Sequence, residues 1–266
     1  MEDSVLFTID EDQIAHLTLN RPEVHNAFDN EMIQTITTHL RNLHENSSVR
    51  ALILTGNGSG FCSGADLAWM ERASRFTETE NFEDARSLSF MLYFLDTLPI
   101  PTLTYAQGTV MGGGIGLIAC SDIVLADTST LFSFSEVKIG LIPAIISPYV
   151  LRNIGSHNAR RYFLTGEKFN ASKALQLGLI HEIVNLEAKD SSINDLKKNL
   201  LSASPSAITH SKKLIEQLTS PITDAQRLMT IELIAQMRRS EDGLEGIRSF
   251  LNKQPPPWIP ERYRND

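Results

Sequence analysis

The apolar positions change period along the chain, and that change divides it. Residues 4–9 and 14–19 are short apolar-rich runs on either side of the turn-like Asp10-Glu11-Asp12, a pattern that predicts a β-hairpin. From Asp29, a suitable helix N-cap, Met32, Ile33, Ile36, Leu40 and Leu43 recur at helical spacing and describe an amphipathic helix. The compact apolar run 51–55 closes into Gly56-Asn57-Gly58-Ser59-Gly60 and reads as a buried strand entering a loop. Phe82, Ala85, Leu88, Leu92 and Leu95 mark a second long helix that ends before Pro99. Short strands are expected at 102–105, 123–126 and 131–134, and a helix after the glycines at 112–114. Beyond about residue 144 the strand signal nearly vanishes. Helices are expected there around 144–155, 157–165, 187–202, 205–218, 222–238 and 240–252, before Pro255-Pro256-Pro257. The pattern is an α/β core over residues 1–200 followed by a helical segment over 201–266.

Composition mainly removes possibilities. A chain of 266 residues buries on the order of 70–75% of its unfolded surface, so stability requires neither disulfides nor metals. Cys62 and Cys120 are far apart and have no CxxC or Cys/His ligand spacing around them. That argues against a disulfide scaffold or metal site and suits a reducing, cytoplasmic compartment. The 24 Lys plus Arg against 32 Asp plus Glu give a formal charge of −8, and no basic tract marks a nucleic-acid binder. No apolar run reaches membrane-spanning length, since the best candidate is broken by Pro143 and Pro148. Met1-Glu2-Asp3-Ser4 lacks the features of a secretory leader.

Several strong chemical motifs are missing. There is no GxxxxGK[ST]; Gly56-x-Gly58 meets Phe61, and Gly112-x-Gly114 meets Leu117, where a dinucleotide-binding glycine would stand. His181-Glu182 meets Asn185 where a zinc protease has its second histidine, and no GxSxG is present. Two glycine-rich junctions remain between predicted strand and predicted helix: residues 60–67 and 108–114. Glycine lets a ligand approach backbone N–H groups that are still unpaired in a helix's first turn. Two such donors aimed at one oxygen form an oxyanion hole. The same glycines also serve tight turns and close strand–helix packing, and neither junction alone decides between these roles.

Together the junctions carry a resemblance. Phe61-Cys62-Ser63-Gly64-Ala65-Asp66-Leu67, then Gly112-Gly113-Gly114 with Cys120-Ser121-Asp122, resemble two signatures of the crotonase, or enoyl-CoA hydratase/isomerase, superfamily. Asn20-Arg21-Pro22 with Asn26-Ala27, the block Ser135-Glu136-Val137-Lys138-Ile139-Gly140-Leu141-Ile142-Pro143, and Leu164-Thr165-Gly166 with Ala171, Ala174 and Gly178-Leu179-Ile180 resemble three more, in the same order. The resemblance implies a spiral of repeated ββα units with a helical trimerisation segment, assembled as a homotrimer or hexamer. It also implies a coenzyme A thioester substrate and no other cofactor. By position, the oxyanion donors are the N–H groups of Ala65 and Gly113. Val24, Asn26, Ala65, Asp66 and Leu67 then lie along the adenine and pantetheine path, while Phe250 and Lys253 match positions that reach the CoA of a neighbouring subunit. Lys253 and Arg21 are the candidate bases for its phosphates, with Glu23 standing where many relatives carry lysine.

Glu136, between Phe134 and Val137, is the candidate acid/base; apolar surroundings raise a carboxylate's pKa toward neutrality. Many family hydratases use a second glutamate two residues beyond the glycine triplet, and here that position is Gly116. The strings around 64–70, 112–117 and 141–150 resemble 3-methylglutaconyl-CoA and γ-carboxygeranoyl-CoA hydratases of leucine and isoprenoid breakdown. The implied reaction is water addition by a single glutamate to a β-branched enoyl-CoA with a second carboxylate, with Gly116 making room beside the β carbon. An enoyl-CoA isomerase using the same Glu136 is the alternative. Lys138 and Arg75 are candidate partners for the distal carboxylate; Trp69, Met70, Gly112, Ser147 and Tyr149 are candidates for the acyl pocket, and Cys62 reads as a buried filler. An RNA-binding role needs a basic stripe. The helix from Asp29 to about Glu45 has only Arg41 against Asp29, Glu31 and Glu45, so no nucleic-acid partner is expected.

Overall fold

A computed structural model describes residues 3–259 except Ser74 and Ser220. Met1 and Glu2, read above for a leader, and the last seven positions of the 201–266 segment lie outside the described residues.

The chain opens with the expected hairpin, β1 (Val5–Ile9) antiparallel to β2 (Ile14–Leu19), in register from Val5 opposite Leu19 to Ile9 opposite Ala15. Helix α1 (Asn30–Glu45) starts where the sequence places it, with the Met32 N–H donating to the side chain of Asp29 at 2.9 Å. Its stripe Met32, Ile33, Ile36, Leu40 and Leu43 is buried. The strand β3 (Ala51–Gly56) then pairs parallel to β2, and short α2 (Leu67–Ala73) and long α3 (Glu78–Asp96) follow.

From β3 onward the chain winds through three similar turns, each a strand, a second strand and a helix. β4 (Thr102–Ala106), β5 (Thr109–Met111) and α4 (Gly113–Ala119) form one turn. β6 (Ile123–Ala126), β7 (Leu131–Ser133), a 3-10 turn at Ser135–Ile139 and α5 (Ser147–Thr165) form the next. In the turn that begins with β3, the segment around Cys62 plays the second strand, bridging in parallel to Val110. First strands join the six-stranded sheet, which is parallel beyond β2. Second strands stack separately: Cys62 beside Val110, and Val110 beside Phe132. This is the spiral of ββα units that the resemblance implied.

β8 (Phe169–Asn170), α6 (Ala171–Leu177) and β9 (Glu182–Ile183) close the sheets. They, with β5, escape periodicity because elements of two to seven residues are too short to show it. The two helices expected at 144–155 and 157–165 are both present: α5 is broken at Gly155, whose φ of 71° and ψ of 159° are not helical. The six-stranded sheet is covered on both faces, which explains its nearly unbroken apolar strands. Leu17, Leu52 and Leu54 join the main core; Ile14, Ile53 and Leu103 pack toward Ile193, Leu196 and Leu200 of α7 (Lys189–Ser202).

Helices α8 (Pro205–Leu218), α9 (Asp224–Arg239) and α10 (Glu241–Leu251) complete the chain. α9 contributes Ile231 and Ile234 to the main core beside α3. α10 seats on the 3-10 turn so closely that a Cβ on Gly246 would lie 2.3 Å from the Ile139 carbonyl oxygen. Among the described residues no helix is long and apolar enough to cross a membrane.

Candidate active site

The register of the second strands decides where the chemistry sits. Cys62, Val110 and Phe132 are aligned across three successive turns of the spiral. Three residues beyond each lie Ala65, Gly113 and Ser135, with Glu136 next in line, so both glycine junctions and the candidate acid arrive at one place. Close stacking demands small residues there. A Cβ on Gly114 would lie 2.6 Å from the Cys62 carbonyl oxygen, and Gly112 sits at φ +48°, a left-handed conformation that glycine adopts without strain.

These residues line an elongated cleft. Gly64, Ala65, Gly112, Gly113 and Glu136 form one part of its wall; Trp69, Met70, Leu88, Ile145, Ile146, Ile234 and Phe250 give it an apolar interior. Among the described residues the backbone N–H of Ala65 has no partner: its bridge to Phe28 uses the neighbouring groups, Phe28 N–H to Gly64 O at 2.7 Å and Asp66 N–H to Phe28 O at 2.8 Å. In a parallel pairing the intervening residue turns its N–H to the opposite side. Gly113 is the first residue of α4, whose initial N–H groups have no partner within the helix. The chain thus offers one donor from each glycine junction to the same cleft.

Glu136 faces this pair. A Cβ built on Gly112 would lie 3.1 Å from its Oε1, so a larger residue there would push the carboxyl aside by a few tenths of an ångström. Its Oε2 is buried and has no hydrogen-bond partner among the described residues. Desolvation raises its pKa from the ordinary carboxylate value to about 7, against a small opposing effect of a backbone hydrogen bond. A carboxyl poised near neutrality and left unpaired can both accept and return a proton. Cys62 is fully buried, and burial pushes its thiol up to about 12, consistent with a filler and not a nucleophile.

Other expected ligand residues have structural roles. Asn26 is fully buried; its Oδ1 accepts from the Arg21 N–H at 2.7 Å and its Nδ2 donates to the carbonyls of Asn57 and Gly60. It pins the loop and has no donor to spare for CoA. Asp66 caps α2 by accepting from the Trp69 N–H at 3.0 Å and pairs with Arg21 at 2.9 Å. Arg21 also bonds the Ala27 carbonyl and pairs with Asp29, so its guanidinium is already engaged in holding the loop together. Val24 does not line the cleft; its carbonyl accepts from Ser63 Oγ. Leu67 is 53% exposed and lies outside the cleft.

Gly116 is a correction of a different kind. It does not line the cleft, and its missing side chain makes no room for a substrate. A Cβ there would lie 2.6 Å from Ile146 Cγ2 and 3.0 Å from Leu92 Cδ1, so Ile146 already occupies the space a glutamate would need. Phe250 lines the cleft of its own chain; Lys253 is exposed and does not line it. Ser147 donates to the Ala144 carbonyl, and Tyr149 faces a second cleft behind α4. Lys138 lies outside the cleft, as does Arg75, which is 80% exposed and paired with Glu71. The cation that sequence reading missed is Arg238 of α9, which lines the cleft. Its nearest signal was a basic residue in the last turn of an expected helix, where charge usually serves the helix end.

Among the described residues no group of three or more His, Cys, Asp or Glu side chains could hold a metal ion. Comparison with known proteins agrees with the geometry. The family model for enoyl-CoA hydratase/isomerase matches residues 10–261. An enoyl-CoA hydratase structure from Shewanella pealeana is 41% identical, covers 96% of each chain and superposes with a TM-score of 0.79. One from Mycobacterium avium is 30% identical, covers 97% of this chain and all of its own, with a TM-score of 0.86. An enoyl-CoA isomerase/hydratase of Mycosarcoma maydis is 31% identical over 255 residues, 91% of either chain.

Proposed function

The chain belongs to the enoyl-CoA hydratase/isomerase family, and on that premise we propose that it adds water across the α,β double bond of an enoyl-CoA thioester with Glu136 as its single acid/base. The observation that carries this reading is the Glu136 carboxyl, whose buried Oε2 has no partner among the described residues, in the same cleft wall as Ala65 and Gly113. The thioester oxygen accepts the N–H groups of Ala65 and Gly113, each donor worth roughly 10²–10³ in rate when it meets developing negative charge. The Glu136 carboxylate takes a proton from water as the hydroxyl bonds to the β carbon, and electrons move to the thioester oxygen. Collapse of that enolate takes the same proton back from Glu136 at the α carbon, restoring the carboxylate.

The finer reading is a β-branched substrate carrying a second carboxylate, 3-methylglutaconyl-CoA being the model, within leucine or isoprenoid breakdown. The resemblance of residues 64–70, 112–117 and 141–150 supports it. One observation favours a second reaction: Glu136 is the only carboxylate lining the cleft among the described residues, and one carboxylate suffices to move a proton between carbons in an isomerase. Exposed Leu214, Ile215 and Leu218 on α8 and Leu228 and Met229 on α9 support assembly into trimers or hexamers. The test is incubation with 3-methylglutaconyl-CoA, crotonyl-CoA and a 3-enoyl-CoA, followed by mass spectrometry. A gain of about 18 Da, the mass of one water, marks hydration of the kind written above. A shifted double bond without mass change marks isomerisation, and no change with any of the three overturns the reading.

A further inference from the structure

Among the described residues lining the cleft, two carry charge: Glu136 and Arg238. Arg238 comes from α9 and stands in a wall otherwise made by Trp69, Met70, Leu88 and Ile234. Its Nη1 donates to Asp84 Oδ2 at 2.6 Å, while Asp84 Oδ1 accepts the Trp69 indole N–H at 3.0 Å. The guanidinium also lies over the Trp69 ring, 5.3 Å from its centroid. The Asp84 side chain is 3% exposed and does not line the cleft; that of Arg238 is 12% exposed and does. The acid therefore sits behind the arginine and holds it at the wall.

That arrangement has more donors than the protein uses. A guanidinium carries five N–H groups, and among the described residues Arg238 makes one hydrogen bond. An apolar acyl tail in this cleft desolvates the remaining donors without replacing their water. A carboxylate accepts them in a fork, the geometry at which arginine excels. We propose that Arg238 is the specificity-determining residue of the cleft and that it binds a carboxylate at the far end of the acyl chain, with Asp84 and Trp69 positioning it. The inference rests on the acyl-CoA reading of the cleft and deepens it from a substrate family to a recognised group.

The experiment compares 3-methylglutaconyl-CoA with 3-methylcrotonyl-CoA, which share the β branch and differ in the terminal carboxylate. The readout is the ratio of their kcat/KM values in the full-length wild type, Arg238→Met and Asp84→Asn. The wild type favours the carboxylated substrate, and Arg238→Met lowers the ratio about 10- to 100-fold. Asp84→Asn keeps an acceptor for the indole but turns an amide N–H toward Arg238 Nη1, so the guanidinium loses its anchor and the ratio falls, by less than in Arg238→Met. A structural role alone moves both substrates in parallel in both variants, and that result overturns the proposal. The double variant removes both charges together and keeps the test readable if Arg238→Met alone folds poorly. A wild type that hydrates the neutral substrate equally well or better overturns the role of Arg238 and leaves the hydratase reading intact. No conversion of any acyl-CoA overturns the hydratase reading itself.

Discussion

One carboxylate lines this cleft and another sits behind its wall, and their surroundings are opposite. Glu136 has no partner for Oε2 among the described residues and is desolvated until its pKa reaches about 7. Asp84 has both oxygens occupied, one by the Trp69 indole and one by Arg238. The first is a group whose proton is free to move. The second is a group whose charge is spent on fixing a wall. The same residue chemistry thus serves reaction in one place and architecture in the other, and the number of donors aimed at each carboxylate makes the difference.

The sharpest way to break the contrast is to neutralise each acid. Glu136→Gln is expected to lower kcat by about 10²–10⁴ with the fold retained, measured by steady-state hydration and circular dichroism. Asp84→Ala acts on stability instead. It strands the Arg238 charge and the Trp69 N–H, so urea unfolding should show a loss of about 3–5 kcal/mol. Equal activity losses with unchanged stability in both variants would erase the distinction.

Gly116→Glu comes next. It forces a side chain into the volume held by Ile146 and Leu92, and overpacking of this kind costs about 1–3 kcal/mol. Trimming the neighbour, in Gly116→Glu with Ile146→Ala, should recover part of that loss in thermal unfolding.

The pH dependence of Glu136 follows in size. As a base it must be ionised, so kcat/KM should fall roughly tenfold per unit as the pH drops below about 7. Stability runs the other way. The folded-state pKa is raised above the ordinary 4.5, so ionisation costs more in the folded protein. Measured against Glu136→Gln, the wild type is best off below pH 4.5 and loses ground as the pH rises through 7, by roughly 1–3 kcal/mol. The smallest effect belongs to Arg75→Ala, which removes an exposed pair with Glu71 and should change stability by less than about 0.5 kcal/mol.

Much of this protein was legible in one dimension. Hydrophobic periodicity located α1, α3 and the strands of the large sheet other than β9 to within a few residues, because each depends on its own repeat. The glycine junctions and Glu136 were legible through the resemblance, and the cleft contains them. Polar residues in the same motifs have structural roles that the motif alone does not reveal. A motif preserves residues that bind a ligand and residues that hold the binding loop, and only the hydrogen bonds of Asn26, Asp66 and Arg21 tell them apart.

The sequence by itself determined the longer elements and the small residues at their junctions, since those follow from local spacing and side-chain size, and the resemblance added Glu136. Tertiary structure decided the rest. The register that aligns Cys62, Val110 and Phe132 brings Ala65, Gly113 and Glu136 together across three turns of the spiral. Packing gave the volume beside Gly116 to Ile146 and set Arg238 against Asp84, 154 positions away. Contacts at such separation depend on how whole elements stack, and no local pattern in the chain records that.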